Sequence, residues 1–174
     1  MKIAIFIDGG YIAKVLTKHS IYIDFSLLSK ELAQGKEILR TYYYNCLPYQ
    51  SNPPTADEKI RFSKAQKFYY ALERFPRYEV KEGRLAKRGN EFEQKGIDTL
   101  LSIDLVNLAA SGKISDAVLL AGDSDFIPAI KVAKGYGVNI FLYYDKDTYH
   151  NALWQICDER IAIDLILLNK VKKC

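Results

Sequence analysis

Short apolar runs without alternation are the first regular feature of the chain. A strand with one exposed face alternates apolar and polar residues, whereas a strand buried on both faces is apolar throughout. Runs of the second kind cover residues 3–7, 117–121 and 138–144. A more polar, tyrosine-rich run at residues 38–47 predicts a fourth strand nearer the edge of the sheet. We therefore predict a mainly parallel sheet with both faces covered.

Segments with helical periodicity lie between these runs. They cover residues 11–18, 25–33, 56–75, 97–110 and 126–134. Strands and helices therefore alternate, which is typical of parallel strands joined by right-handed crossovers. The predicted fold class is α/β: a Rossmann-like three-layer α/β/α sandwich with a mainly parallel central sheet, in a single domain over residues 1–174.

Two smaller elements complete the predicted fold. Gly83 separates two short runs, residues 78–81 and 84–87, and a glycine between short runs is typical of a hairpin turn. The apolar residues around Trp154 predict a short helix that packs on the sheet.

Composition and charge are those of an ordinary globular protein. Hydrophobic residues make up 49% of the 174 and charged residues 26%, which excludes a largely disordered chain. The net charge of +4 is compatible with a polyanionic partner without requiring one. The three cysteines match neither a disulfide framework nor a zinc site, which favours a reducing cytoplasm. No apolar run is long enough for a signal peptide or a membrane span, so we expect no membrane partner.

Acidic residues follow the predicted strands at the point where each strand ends. Asp8 comes directly after the first strand, and Asp123 and Asp125 follow the next buried run. Parallel strands end at the same edge of a sheet, so these side chains should converge in one crevice, with Asp98 joining from the start of a helix. Clustered carboxylates repel one another unless a pKa rises or a divalent cation binds. Oxygen ligands alone favour Mg²⁺ or Mn²⁺.

Small residues accompany these acids. Gly9 and Gly10 follow Asp8, and Ser124 lies between Asp123 and Asp125. Glycine permits tight turns and close approach of a phosphate to the backbone. We therefore expect Gly9, Gly10 and Ser124 to contact the substrate.

Each acid also has a purely structural interpretation. Asp125 could be the N-cap of the helix that follows, and Asp98 could lie in a first helical turn, where the helix dipole favours an anion. Asp8 and Asp123 directly follow buried strands, where we expect no capping role. The functional interpretation therefore rests first on Asp8 and Asp123, and convergence extends it to the other two.

Asp104 requires a separate argument. It falls near the middle of the apolar stripe that Ile97, Leu101 and Leu105 form on the fourth helix. A carboxylate that faces the core needs a partner. Asp104 lies about 9 Å along the helix from Asp98, so we predict a supporting or structural role in preference to direct metal binding.

Cations that precede Asp98 are predicted to contact a phosphate backbone. Arg84, Lys87, Arg88 and Lys95 lie on the predicted hairpin and loop, from which they could overhang the acidic crevice. Lys95 is the first choice for a phosphate contact, and Arg88 is counted with it.

Other basic and aromatic residues are assigned no functional role. Residues 59–70 interleave cations with aromatics, as some nucleic-acid-binding surfaces do. At helical spacing, however, we expect the aromatics to belong to the core and the lysines to a solvated face. His19 and His150 lack metal-ligand spacing and are predicted to be surface or loop residues.

Three segments, in this order and at these separations, are similar to those of a known family. They are residues 6–11 (FIDGGY), 94–98 (QKGID) and 121–128 (AGDSDFIP). They resemble the NYN domain, with its LabA-like subgroup, within the PIN-like nucleases. Similarity continues into Tyr43-Tyr44, into Leu47-Pro48-Tyr49 and into Cys157-Asp158, so it covers nearly the whole chain.

The resemblance implies a PIN-like three-layer fold and endoribonuclease activity that depends on Mg²⁺ or Mn²⁺. It implies that Asp8, Asp98 and Asp123 are metal ligands, with Asp125 as a fourth member, and Asp104 matches a recurrent acid of the family helix. One position departs from the pattern. Many relatives carry asparagine three residues after the first aspartate, where this chain has Tyr11, so a role for that amide in orienting substrate is in doubt.

The predicted function is hydrolysis of RNA, single-stranded rather than double-stranded, by one or two metal ions held in the aspartate cluster. One alternative is a non-catalytic NYN module that binds RNA or a protein. Another is a phosphatase of haloacid-dehalogenase type, which needs a second acid two residues after the first, where this chain has Gly10. We expect a cytoplasmic protein, and a homodimer is left open.

Overall fold

A seven-stranded sheet organises the computed structural model, which describes residues 1–174. The strands are β1 (Lys2–Asp8), β2 (Ile38–Cys46), β3 (Tyr78–Arg88), β4 (Glu91–Lys95), β5 (Ile114–Leu120), β6 (Asn139–Tyr144) and β7 (Glu159–Ala162). Their spatial order is β4-β3-β2-β1-β5-β6-β7, and every pair is parallel except β3 with β4. The predicted α/β class with a mainly parallel sheet is confirmed.

Helices cover both faces of this sheet. The chain contains α1 (Gly9–His19), α2 (Phe25–Ala33), α3 (Ala56–Glu73), α4 (Ile97–Ala110), α5 (Ile127–Gly135), α6 (Asn151–Ile156) and α7 (Leu165–Lys170). Helices α1, α2, α3 and α7 pack on one face, and α4, α5 and α6 on the other. None of the helices combines the length and the apolar character that crossing a membrane requires.

The central strand β1 shows why its sequence is apolar without alternation. Ala4 and Phe6 point into the core beneath α4 and α5, whereas Ile3, Ile5 and Ile7 point into the core beneath α1 and α2. Both sets are almost completely buried. A strand covered on both faces needs apolar residues at every position.

The predicted hairpin turn at Gly83 is wrong. Residues Tyr78–Arg88 form one continuous strand, and the chain reverses at Gly89, whose φ is +61°, before β4 returns along β3. A Cβ on Gly83 would lie 2.8 Å from Ile97 Cδ1 and 2.8 Å from the Lys95 carbonyl oxygen. The absence of a side chain at Gly83 therefore serves close packing at the start of α4, and not a turn.

The predicted position of β2 near the edge of the sheet is also wrong. This strand pairs with β1 on one side and β3 on the other, and Tyr42, Tyr43 and Tyr44 are all buried. The ring of Tyr42 stacks on Phe6 with 5.5 Å between centroids. Tyrosine can occupy an inner strand because its ring packs in the core while its hydroxyl reaches a polar partner.

Candidate metal and substrate site

The carboxyl ends of three chain segments meet at one edge of the sheet. Strands β1 and β5 are parallel neighbours with Ile7 opposite Leu120, so Asp8 and the turn that carries Asp123 lie side by side. The β4 strand leads through Gly96, whose φ is +89°, into α4 and brings Asp98 to the same edge. This is the edge where open α/β sheets build their binding sites.

Three of the four predicted acids form a compact cluster. Carboxylate oxygens of Asp98, Asp123 and Asp125 all lie within 4.8 Å of one another. Asp98 is half-buried, and the other two are exposed. Asp8 lies outside this tight group, although its charge reaches both Asp98 and Asp123.

Burial, together with repulsion between the carboxylates, raises the pKa of two acids at this site. Burial, followed by the charges of Asp123, Asp125 and Asp8, raises the pKa of Asp98 to about 6. The pKa of Asp8 is also raised, chiefly by burial and further by Asp123, against the opposing effect of backbone N–H groups and Lys14. Negative charge is therefore concentrated here beyond what neighbouring cations compensate, which favours a bound cation.

Our expectation that Asp8 and Asp123 have no capping role is wrong. Asp8 Oδ1 accepts a hydrogen bond of 3.1 Å from the Tyr11 N–H at the start of α1. Asp123 Oδ1 accepts one of 3.0 Å from the Asp125 N–H, at the start of a 3₁₀ turn over Ser124–Phe126. Each strand passes directly into a helical turn, so the residue that ends the strand also caps the helix.

Asp125, for which helix capping was the alternative, is not an N-cap, and Asp98 lies in a first helical turn, as its structural interpretation expected. Gly96 occupies the N-cap position of α4, and Phe126 occupies that of α5. Neither residue makes a side-chain hydrogen bond that caps its helix. Both aspartates lie in a first turn, where the helix dipole favours their negative charge. The carboxylates of Asp98 and Asp125 therefore have fewer structural roles than those of Asp8 and Asp123, which cap helical turns.

A cavity of about 400 Å³ opens beside Asp8 and Asp123. Gly10 and Ser124, which were predicted to contact substrate, line it. The remaining lining residues are Tyr11, Lys14, Gln94, Gly122 and His150.

None of these five lining residues received a site assignment from the sequence, and Lys14 and His150 are the two with basic side chains. Lys14 follows Tyr11 by three positions on α1, and residues three apart share a helix face, so helical spacing could have identified it. His150 reaches the cavity because the loop after β6 folds back and its N–H bonds the Gly122 carbonyl oxygen at 3.2 Å. No local signal in the sequence announces that contact.

Three other predicted substrate residues lie away from the cavity. Lys95 Nζ lies 3.9 Å from Glu93 Oε2, and Arg88 Nε lies 3.3 Å from the same oxygen. Side chains alternate along β4, so Gln94 faces the cavity and Lys95 does not. Gly9 is buried, and a Cβ there would lie 2.5 Å from Tyr43 Cζ, which gives this glycine a packing role.

Asp104 finds its partner away from the acidic cluster. The Tyr44 hydroxyl donates a hydrogen bond of 2.8 Å to Asp104 Oδ2, and Lys81 Nζ lies 3.9 Å from the same oxygen. Burial and the Asp104 charge together raise the pKa of Tyr44 far above its ordinary value. The Asp104 side chain is 20% exposed and contacts β2 and β3, so it does not lie in the middle of the core stripe.

Tyr11, the departure from the family pattern, ties the cavity wall to α1. Its hydroxyl donates to the Thr148 carbonyl oxygen at 2.6 Å and accepts from the Asp145 N–H at 2.8 Å. Its ring covers Gly122, where a Cβ would lie 2.4 Å from Tyr11 Cε2. Lys18 holds the same loop through a 2.9 Å bond to Asp145. Tyr11 therefore fixes the loop that carries His150.

Comparisons with known proteins agree with this architecture. Residues 2–164 match the family model described as the NYN domain. The uncharacterized protein y4oD of Sinorhizobium fredii is 41% identical over 59 residues, which are 34% of this chain and 28% of that protein. The chain therefore matches less than a third of that relative's length. A crystal structure of a protein of unknown function from Vibrio parahaemolyticus is 20% identical, with a TM-score of 0.73 over 99% of this chain and 96% of that one. The second likeness supports the fold.

Proposed function

Because this chain belongs to the NYN domain family, and through it to the PIN-like nuclease superfamily, we propose that it is an endoribonuclease dependent on Mg²⁺ or Mn²⁺. The observation that carries the proposal is the cluster of Asp98, Asp123 and Asp125, with oxygens within 4.8 Å of one another beside an open cavity. The predicted substrate is single-stranded RNA.

The donor set fits a hard divalent cation. Oxygens on opposite sides of a Mg²⁺ ion are separated by about 4 Å, twice the usual metal–oxygen distance, so the three carboxylates need only small movements to share one ion. The raised pKa of Asp98 means that its ionised form is unfavourable in the fold. A bound cation would offset that unfavourable free energy. No cysteine lines the cavity, which argues against a softer metal.

The residues of this chain can be assigned roles around such an ion. When bound, the ion would supply an activated water and neutralise charge on the phosphodiester. Asp98, Asp123 and Asp125 would hold it, and Asp8 would complete the negative wall of the site. Lys14 is exposed on the cavity and forms no salt bridge, so it is free to contact a phosphate oxygen.

Space for the substrate backbone is provided on the Asp8 side of the cavity. The nearest atoms to a Cβ on Gly10 would be Asp8 Oδ1 at 3.5 Å and Gln94 Oε1 at 3.6 Å. The closest neighbours of this position are therefore side-chain atoms and not backbone atoms. Ser124 and His150 lie on the same cavity as hydrogen-bonding groups. A phosphodiester could therefore approach the carboxylates between Lys14 and Gly10 without displacing backbone.

A cleavage assay tests the proposal. The purified chain should cleave an end-labelled single-stranded RNA in Mn²⁺ or Mg²⁺, and EDTA should abolish cleavage. Asp123→Asn should reduce the rate by roughly 100-fold or more, because loss of even an outer-shell partner of a metal ligand costs about 10–100-fold. Asp57→Asn is the matched control, because Asp57 is an exposed aspartate on α3. Equal cleavage by the wild type and Asp123→Asn would refute the assignment.

One observation favours a second candidate, a non-catalytic NYN module that binds RNA or a protein. Asp8 and Asp123 both cap helical turns, so they have a structural reason to be present without catalysis. Stabilisation by Mn²⁺ in a thermal melt, together with no cleavage of any RNA, would favour the module. Hydrolysis of a simple phosphomonoester would instead revive the phosphatase alternative.

A further inference from the structure

An apolar groove of about 690 Å³ lies on the opposite side of α1 from the acidic cavity. Helix α1 contributes Ile12, Ala13 and Leu16 to the groove, whereas Tyr11 and Lys14 face the cavity. Consecutive residues on a helix point about 100° apart, so one helix presents two different surfaces to the two sites. Ala13 and Lys14, which are adjacent in sequence, border the groove and the cavity respectively.

Aromatic rings form much of the groove wall. Phe25 and Phe68 meet edge to face with 5.4 Å between their centroids, and both line the groove. Tyr22 also lines it and is 84% exposed, so its ring packs against little of the protein itself. Flat apolar rings with an exposed face are the surfaces on which nucleobases stack.

The charged side chains that line the groove are both positive. Lys64 and Lys173 line it, no carboxylate does, and neither lysine forms a salt bridge. The neighbouring surface of α3 adds Lys59 and Lys67, which are exposed and equally unpaired. An apolar peptide would fill the groove without using these cations. A base attached to phosphates would use both the rings and the lysines.

We propose that this groove binds an unpaired base of the RNA strand whose phosphodiester lies in the acidic cavity. The identity of the ligand as RNA rests on the proposed function. The two sites are separated by the width of one helix, about 10 Å, and Lys14 lines the cavity on the other side of that helix from the groove. A base held in a duplex must first unpair and unstack before it can enter the groove, which costs free energy, so the groove favours single-stranded RNA.

Binding of a fluorescein-labelled single-stranded oligoribonucleotide, followed by fluorescence anisotropy in EDTA, tests this proposal on the full chain. Tyr22→Ala removes an exposed ring and should weaken binding about tenfold. Ala13→Glu places a negative charge at the groove and should weaken it at least as much. The matched controls Tyr70→Ala and Ala110→Glu alter exposed helical positions outside the groove and should change affinity little. Melting temperatures establish that all four variants fold.

Two further probes separate base recognition from backbone recognition. The same oligoribonucleotide annealed to its complement, and one whose nucleotides are abasic, should both bind the wild type about tenfold more weakly. Equal affinities of the wild type and the groove variants, equal binding of the abasic strand, or no binding of single-stranded RNA would each overturn the proposal. If the protein cleaves RNA and the groove variants bind RNA as the wild type does, base binding in the groove is refuted and the nuclease proposal stands. If binding depends on the groove but no RNA is cleaved in Mn²⁺, the nuclease proposal is refuted and base binding in the groove stands.

Discussion

Asp98 is a residue whose ionised form is unfavourable in the folded chain. Its pKa of about 6 in the fold lies above the ordinary value of 3.8, because burial and then three neighbouring aspartates disfavour the charge. A carboxylate with a raised pKa contributes stability below its unfolded value and loses that contribution as pH rises through the folded one. At neutral pH the penalty is therefore fully present unless a cation compensates it.

Asp98→Asn should raise the melting temperature in EDTA at neutral pH. After allowance for solvent screening at this half-buried site, relief of repulsion should be worth about 1 kcal/mol, or roughly 2–4 °C. Mn²⁺ should stabilise the wild type more than the variant, which has lost a ligand. Differential scanning fluorimetry with and without Mn²⁺ measures both effects. A lower melting temperature of the variant in EDTA would contradict the electrostatic account.

Lys14 and Lys95 are two lysines near the site whose effects on cleavage can be compared. Lys14 lines the cavity, whereas Lys95 lies beside Glu93 on β4. If Lys14 contacts a phosphate, Lys14→Ala should reduce kcat/KM by roughly 10-fold or more, and Lys95→Ala should have a smaller effect. Steady-state cleavage of a labelled RNA in Mn²⁺ decides between them. The reverse order would restore Lys95 as the phosphate contact.

At the scale of the elements, β3 and the start of α4 pack closely against each other at Gly83. Gly83 pairs with Cys46 of β2 and leaves its side-chain space to Ile97, the residue before Asp98. The neighbouring Lys95 carbonyl oxygen belongs to the backbone and can yield less than a side chain can. The position of Asp98 at the site therefore depends on the absence of a side chain at Gly83.

Gly83→Ala should destabilise the fold by about 1–3 kcal/mol, the usual cost of forcing an extra methyl group into a packed position. It should also reduce cleavage, because α4 and Asp98 must shift. The control is Gly135→Ala at the end of α5, where a Cβ meets nothing within 4 Å and should be tolerated. Urea unfolding measures the stability of each variant. Equal stability of Gly83→Ala and wild type would show that the close contact relaxes freely.

At the scale of the whole molecule, a second set of charges stabilises the edge of the sheet away from the site. Asp116 on β5 is buried and accepts hydrogen bonds of 3.0 Å from Lys36, which precedes β2, and 3.0 Å from Asn139 on β6. Burial alone would raise the pKa of Asp116, but these bonds and one from Ser115 hold it below its ordinary value. One carboxylate thus links β5 and β6 to the segment that precedes β2.

Asp116→Asn should destabilise the chain by about 1–3 kcal/mol at pH 7 without changing metal binding. A depressed pKa gives stability that is present above the unfolded value of 3.8 and lost as pH falls through the folded one. The difference in free energy of unfolding between wild type and variant should therefore become smaller at pH values below 3.8. Urea unfolding at pH 7 and in acid measures this difference. A difference that does not change with pH would exclude the ionised carboxylate as its source.

The sequence by itself determined the elements and the location of the site. Continuous apolar runs identify β1, β5 and β6 because a strand covered on both faces cannot alternate. Asp8 and Asp123 could be located at one edge because parallel strands end together. Three short segments in register were enough to indicate the NYN domain, whose model matches residues 2–164.

Only the tertiary structure decided which side chains share a surface. Whether Gln94 or Lys95 faces the cavity depends on the alternation of β4, which the turn at Gly89 sets. Lys14 and His150 meet there because a helix and a distant loop pack against the same edge. The local sequence encodes periodicity and turns, but the direction of a side chain in space follows from strand register and helix rotation, which long-range packing determines.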